Sequence, residues 1–294
     1  MAKKKSGALR KTVQILWALL SNGYIAGYTG GKIYQGPLKQ NCVPGLNCYS
    51  CPGALGSCPI GAMQSVATDR NKSFSFTAAG YVMAFGALCG RFVCGWLCPF
   101  GLVQELLYLL FPKHKIKTFR GDRYLRWLKY AVLAVFVFLL PAVIGYGATG
   151  DPWFCKYICP AGTLEGGIPL ALLNDAVAAS IGGLFFHKLA ILLLILALAV
   201  VIYRPFCRYL CPLGAIYALF NNFALVRMTV DEHKCVNCGA CERACPMACP
   251  VRTKPNDPEC VRCGACERAC PTGALHVSPY IKLPHIKKES EETK

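Results

Sequence analysis

Residues 235–246 read CVNCGACERACP and residues 260–271 read CVRCGACERACP. Both are C-x2-C-x2-C-x3-C-P, and they differ only at Asn237 against Arg262, so the segment is an internal repeat. Three thiolates at this spacing bind three corners of one iron–sulfur cubane, while the fourth, before proline, reaches the neighbouring cluster. The spacing predicts two interleaved [4Fe–4S] sites. Cys235, Cys238, Cys241 and Cys270 form one, and Cys260, Cys263, Cys266 and Cys245 the other. Structural zinc is the plainer use of such thiols, but zinc does not require an interleaved four-plus-four pattern. Cys249, in the insertion PMACPV, is a second candidate for the place of Cys245.

Upstream of this repeat the composition changes character. The 294 residues are 54% hydrophobic and only 16% charged, with mean hydropathy +0.39. Soluble domains are nearer one-quarter charged, and disordered chains cannot reach this apolar content. Disulfide-rich secreted domains use cysteine densely but are far shorter than this chain with its 20 cysteines. Metal binding is the remaining use. The net charge of +17, from 32 Lys+Arg against 15 Asp+Glu, does not lie on one stripe, which excludes a nucleic-acid partner. The charges flank apolar runs, as in a protein seated in a lipid bilayer.

Residues 12–31, 73–90 and 130–150 are uncharged runs of 20, 18 and 21 residues. Residues 189–203 add a run of 15, extended by Phe185 and Phe186. A spanning helix needs about 20 apolar residues, so four spans are expected, at about 12–31, 73–93, 130–150 and 185–203. Ile168–Gly183, interrupted by Pro169, Asn174 and Asp175, reads as an interfacial or re-entrant segment. The first run lacks an A-x-A site and further spans follow, so it reads as an uncleaved anchor. Lys3, Lys4, Lys5, Arg10 and Lys11 precede the first span, and Lys113, Lys115, Lys117, Arg120, Arg123, Arg126 and Lys129 precede the third. Basic residues mark the cytoplasmic side, so both termini are expected there, in a multi-pass prokaryotic inner-membrane protein.

Cys94 and Cys98 (CGWLCPFG) close the second span; Cys207 and Cys211 (CRYLCPLG) close the fourth. Each C-x3-C-P is expected to present both thiolates on one helix face, with the proline ending or bending the helix. Two such pairs at one membrane face supply the four thiolates of one cluster. The outer loops carry Cys42, Cys48, Cys51 and Cys58, then Cys155 and Cys159 in a further C-x3-C-P. The simplest outer set is Cys51, Cys58, Cys155 and Cys159, with Cys48 as rival to Cys51. Disulfides are the alternative use in an oxidising compartment. Cys58, Cys98, Cys159 and Cys211 all begin C-P-x-G.

CGRFVCGWLCPFG, CRYLCPLGAIYAL and the terminal double motif resemble the NapH/MauN family of membrane-bound polyferredoxins. The resemblance implies four spans, two cytoplasmic-side C-x3-C-P motifs and a ferredoxin tail. It also implies electron transfer between the quinone pool and a redox partner. It carries over to Cys94, Cys98, Cys207, Cys211 and the eight repeat cysteines; the outer set departs from the family pattern. The expected fold is a mainly α-helical membrane domain, 1–226, joined to an α+β 2[4Fe–4S] ferredoxin domain, 227–280, with a solvated tail, 281–294. Three functions compete. The first is an electron conduit from a cytoplasmic redox partner to an outer-side acceptor. The second is a quinone-linked electron-transfer subunit. The third is a redox sensor or anchor without turnover of its own.

Overall fold

The computed structural model describes residues 2–68, 76–110, 115–144 and 151–279. Residues 73–75 and 145–150 of two expected spans, Lys113 of the basic loop and the tail 281–294 lie outside the described residues. The first part holds helices α1 (Ala2–Ser21), α2 (Ile25–Gly30), α3 (Pro59–Thr68), α4 (Phe76–Cys89), α5 (Phe92–Trp96) and α6 (Pro99–Leu110). Then come α7 (Asp122–Ile144), α8 (Gly162–Leu173), α9 (Asp175–Ala179), α10 (Gly183–Val201), α11 (Pro205–Tyr209) and α12 (Pro212–Phe220). The C-terminal part is β1 (Val226–Val230), α13 (Ala240–Ala244), α14 (Ala265–Ala269) and β2 (Leu275–Pro279). Strands β1 and β2 pair antiparallel, with Val226 opposite Pro279 and Val230 opposite Leu275. The sequence repeat is also a backbone repeat. Asn237 and Arg262 have φ of 54° and 50°, and Gly239 and Gly264, which open α13 and α14, have φ of 68° and 71°. Only glycine takes that left-handed turn without strain.

Among the described residues two helices, α7 and α10, are long and apolar enough to cross a membrane. In α7 the stretch Leu133–Leu139 is a π-helix, closed by Leu140 N–H to Val135 O. Pro141 follows directly; the wider turn accommodates a residue that lacks an N–H and would clash with the carbonyl one turn back. The stretch 12–31 is not one helix. α1 stops at Ser21 because a loop takes over its end: Leu55 N–H bonds Ser21 O at 3.0 Å and Tyr24 N–H bonds Gly53 O at 3.1 Å. α2 then packs so closely on this loop that a Cβ at Gly27 would lie 2.1 Å from Pro52 O. Ile168–Gly183 is likewise broken, at Asn174, whose side chain caps α9. Large apolar side chains point outward along α1 (Leu16, Leu19, Leu20), α4 (Met83, Leu88), α7 (Phe138, Leu139) and α10 (Leu193, Leu194).

Candidate iron–sulfur centres

Cys94 lies in α5 and Cys98 directly before α6; Cys207 lies in α11 and Cys211 directly before α12. The expected single helix ended by proline does not form. Instead the helix breaks between the two cysteines, and Pro99 and Pro212 open the next one. Proline suits that position, because the N–H it lacks would have no helical partner there. The second cysteine thus stands at a helix N-terminus, where unused amides point at its sulfur. Gly101 N–H donates to Cys98 Sγ at 3.4 Å and Gly214 N–H to Cys211 Sγ at 3.3 Å. Cys58 and Cys159 stand directly before Pro59 and Pro160, which open helical turns in the same way. This geometry explains the shared C-P-x-G.

The four inner thiols, Cys94, Cys98, Cys207 and Cys211, are buried and within electrostatic reach of one another. Two buried guanidinium groups cross between the motifs. Arg91 Nη2 donates to Cys207 O at 2.9 Å, and Arg204 Nη1 donates to Cys94 O. Each is paired with a buried carboxylate, Arg91 with Glu259 at 2.7 Å and Arg204 with Glu105 at 3.4 Å. Gln104 clasps the second motif: its Nε2 donates to Cys207 Sγ at 3.3 Å and its Oε1 accepts Phe206 N–H at 3.1 Å.

In the set expected on the outer side, Cys48, Cys58, Cys155 and Cys159 line one cavity of about 210 Å³. Cys51 does not join them; its thiol meets Tyr28 Oη at 3.3 Å and Asn22 Oδ1 at 3.5 Å. The structure therefore groups Cys48, the rival, with the other three. None of Cys42, Cys48, Cys51, Cys58, Cys155 and Cys159 is bridged. Gln64 clasps this site: Nε2 donates to Cys155 Sγ at 3.2 Å and Oε1 accepts Phe154 N–H at 2.9 Å. Glu165 accepts Cys48 N–H at 2.8 Å, and Lys188 Nζ donates to Cys155 O at 3.1 Å. Burial pushes the Glu165 carboxyl up to about 7 and the Cys159 thiol up to about 11.

In the C-terminal part Cys235, Cys238, Cys241 and Cys270 line one small cavity. Cys260, Cys263 and Cys266 are grouped with Cys245. Cys249 sits beside Cys245 and donates its N–H to Cys245 Sγ at 3.4 Å. Hydrogen bonding from Cys249, led by its thiol, pulls Cys245 down to about 6, toward the thiolate that metals bind. Among the described residues, no group of three His, Cys, Asp or Glu side chains is placed to hold a single metal ion.

Two backbone approaches tie these centres together. A Cβ at Gly95, between Cys94 and Cys98, would lie 2.1 Å from Val261 O, so the Cys260–Cys263 loop rests on the inner centre. Trp96 Nε1 holds that loop through Arg262 O at 3.1 Å. On the other flank, the outer loop dips into the bundle. A Cβ at Gly45 would lie 3.1 Å from Cys98 Cα, and the next two residues, Leu46 and Asn47, line the cavity that holds Cys58. Tyr217 Oη anchors the dip on Pro44 O at 3.0 Å.

The sequence reading named the cysteines but not Arg91, Arg204, Gln64 or Gln104. Their signals are positional: each arginine stands three residues before a cysteine, and each glutamine six after one. The sixth residue after Cys159 and Cys211 is Glu165 and Tyr217, which both hold the dipping loop.

A 4Fe–4S binding domain model matches residues 74–118, 131–168 and 184–228, and each segment carries one C-x3-C-P. A second 4Fe–4S binding domain model matches residues 228–252 and 255–276. An uncharacterized protein of Methanocaldococcus jannaschii is 34% identical over 216 residues, 71% of each chain. The methylamine utilization ferredoxin-type protein MauN of Methylobacillus flagellatus is 32% identical over 173 residues, 57% of this chain and 51% of the relative. The ferredoxin-type protein NapH of Haemophilus influenzae is 27% identical over 243 residues, 82% of this chain and 74% of the relative. The chain thus spans about half the length of MauN and about three-quarters of NapH. No solved structure matches. By its motifs, its matched domains and its relatives, the chain belongs to the NapH/MauN family of ferredoxin-type 4Fe–4S electron-transfer proteins.

Proposed function

We propose that this protein is a membrane-embedded electron relay between a cytoplasmic redox partner, docking at the ferredoxin part, and an acceptor on the outer side. The thiol sets fit [4Fe–4S] clusters: four thiols per site, largely buried, with N–H groups aimed at their sulfurs. A cluster bound there supplies one-electron transfer. Cys235, Cys238, Cys241 and Cys270 would hold one, Cys260, Cys263, Cys266 and Cys245 the second, and Cys94, Cys98, Cys207 and Cys211 the third. The residues around them fix distance and exclude water. The observation that carries this reading is the close contact of Val261 O with Gly95, which leaves no side chain between the ferredoxin loop and the inner centre.

In this reading four segments traverse the bilayer, α7 and α10 as whole helices and the broken α1–α2 run and the shorter α4 beside them, with both termini in the cytoplasm, the side that the basic residues around Lys3–Lys11 and Lys115–Lys129 favour. Residues 1–226 form the membrane domain and 227–280 the ferredoxin domain. The test is a proteoliposome with reductant inside and a membrane-impermeant dye outside. Dye reduction that needs the protein and is lost in Cys94→Ala/Cys207→Ala is expected; the rate of protein-free vesicles would overturn the proposal.

A second reading, quinone-linked electron transfer, is favoured by a cavity of about 560 Å³ beside Cys58, lined by Ile33, Tyr34, Lys39 and Tyr49. Quinone-dependent turnover that survives Cys155→Ala/Cys159→Ala would select it over the relay.

A further inference from the structure

The outer cavity and the inner centre are built by one device used twice. The inner device starts with Cys98-Pro-x-Gly and Gln104, then Phe206-Cys207-x3-Cys211-Pro-x-Gly. The outer one starts with Cys58-Pro-x-Gly and Gln64, then Phe154-Cys155-x3-Cys159-Pro-x-Gly. In each, the glutamine carbonyl accepts the phenylalanine N–H, at 3.1 Å and 2.9 Å, and its amide donates to the following cysteine sulfur, at 3.3 Å and 3.2 Å. A cation sits on a cysteine carbonyl in both, Arg91 on Cys207 and Lys188 on Cys155. The copies alternate along the chain, outer at 58, inner at 98, outer at 155 and inner at 207, as they would if the connecting helices ran to and fro.

The copy differs in one place. The inner site takes its remaining thiol from Cys94, four residues before Cys98. Four residues before Cys58 stands Ala54, which bears no ligand. Cys48 fills that role from the dipping loop, where Glu165 fixes its backbone N–H. Cys51 is turned toward Tyr28 and Asn22 and stays outside the cavity.

We propose that Cys48, Cys58, Cys155 and Cys159 bind a fourth [4Fe–4S] cluster, in the cavity lined by Leu46 and Asn47, whose neighbour Gly45 packs against Cys98 of the inner centre. In forming the site the four thiols give up their protons and bond four irons through sulfur. Its place at the outer end rests on the relay reading; its metal content does not. Neither a disulfide pair nor a lone zinc explains why the glutamine clasp is repeated.

The experiment counts iron and acid-labile sulfide on the anaerobically purified full chain. About sixteen irons are expected at four per cubane, falling to about twelve in Cys48→Ala and in Cys155→Ala/Cys159→Ala, and unchanged in Cys51→Ala. A second measurement does not need the variants to fold. Alkylation of the native protein, read by mass spectrometry, is expected to spare these four thiols until the iron is stripped by an oxidising chelator. About twelve irons in the wild type, prompt alkylation of the four thiols, a disulfide among them, or zinc at the site would each overturn the proposal. The two ideas fail separately: sixteen irons without transmembrane dye reduction rejects the relay alone, and twelve irons with dye reduction rejects the fourth cluster alone.

Discussion

The inner and outer thiol sites share a scaffold and differ in what surrounds it. The inner site is sealed: Phe100 and Phe206 pack edge to face beside it, and two buried arginines hold its cysteine carbonyls. The outer site opens on cavities and has one lysine, on Cys155 O, and one half-buried glutamate, on Cys48 N–H. Nearby cations favour the electron-rich state of an iron–sulfur centre, and burial without them disfavours it. The same fold element is thus tuned to two settings. The inner centre is expected to have the higher midpoint potential, and the contrast can be broken residue by residue.

The largest effect is expected from Arg91→Leu. It removes bonds to Cys207 O and Pro258 O and leaves Glu259 with Lys129 as its remaining cation. Breaking such a buried pair costs about 3–5 kcal/mol. Redox titration should show the inner potential falling and the outer one unmoved. An equal shift of both would end the distinction between the sites. Gly95→Ala comes next, because its methyl must push Val261 O away from 2.1 Å. Overpacking of this kind costs about 1–3 kcal/mol. Stopped-flow reduction through the ferredoxin part should slow at the inner centre, while direct dithionite reduction is unchanged.

The glutamine clasp gives a matched pair. Gln104→Leu and Gln64→Leu each strand a buried N–H and remove a donor to sulfur, at about 1–2 kcal/mol apiece. Each should lower the potential of its own site alone, by similar amounts. If Gln64→Leu changes nothing, the repeat is one of sequence only. The smallest effect is expected from Lys188→Met, which removes the single cation on Cys155 O. About 0.5–1.5 kcal/mol of stability and a small drop of the outer potential should follow, read by unfolding and redox titration.

Much of this was legible in the sequence because cluster ligation leaves a rigid spacing. The interleaving of Cys270 with Cys235, and of Cys245 with Cys260, follows from C-x2-C-x2-C-x3-C-P alone, and the structure groups the thiols that way. The inner four were legible from a repeated motif. What the motif could not show was that the helix breaks between its two cysteines, since i and i+4 spacing reads equally as one helix face. Cys48 and Cys51 were inseparable because both lie in a turn-rich loop without periodicity; what sets them apart in the structure is long-range, Glu165 on Cys48 N–H, 117 residues away, and Tyr28 and Asn22 on the Cys51 thiol. Apolar run length placed α10 and the apolar part of α7 closely. It could not foresee that α1 ends at Ser21, because the hydrogen bonds that end it come from residues 53 and 55.

The central claim is that the inner and outer sites lie in series on one electron path. Proteoliposomes with reductant inside and impermeant dye outside test it when wild type is run beside Cys94→Ala/Cys207→Ala and Cys155→Ala/Cys159→Ala. In both variants dye reduction is expected to collapse to the protein-free rate, because electrons do not tunnel across most of a ~30 Å hydrocarbon layer without a site within it. In the outer variant alone, the ferredoxin and inner centres should still be reduced from inside. Dye reduction at the wild-type rate in the outer variant, with its four irons gone, would contradict the account.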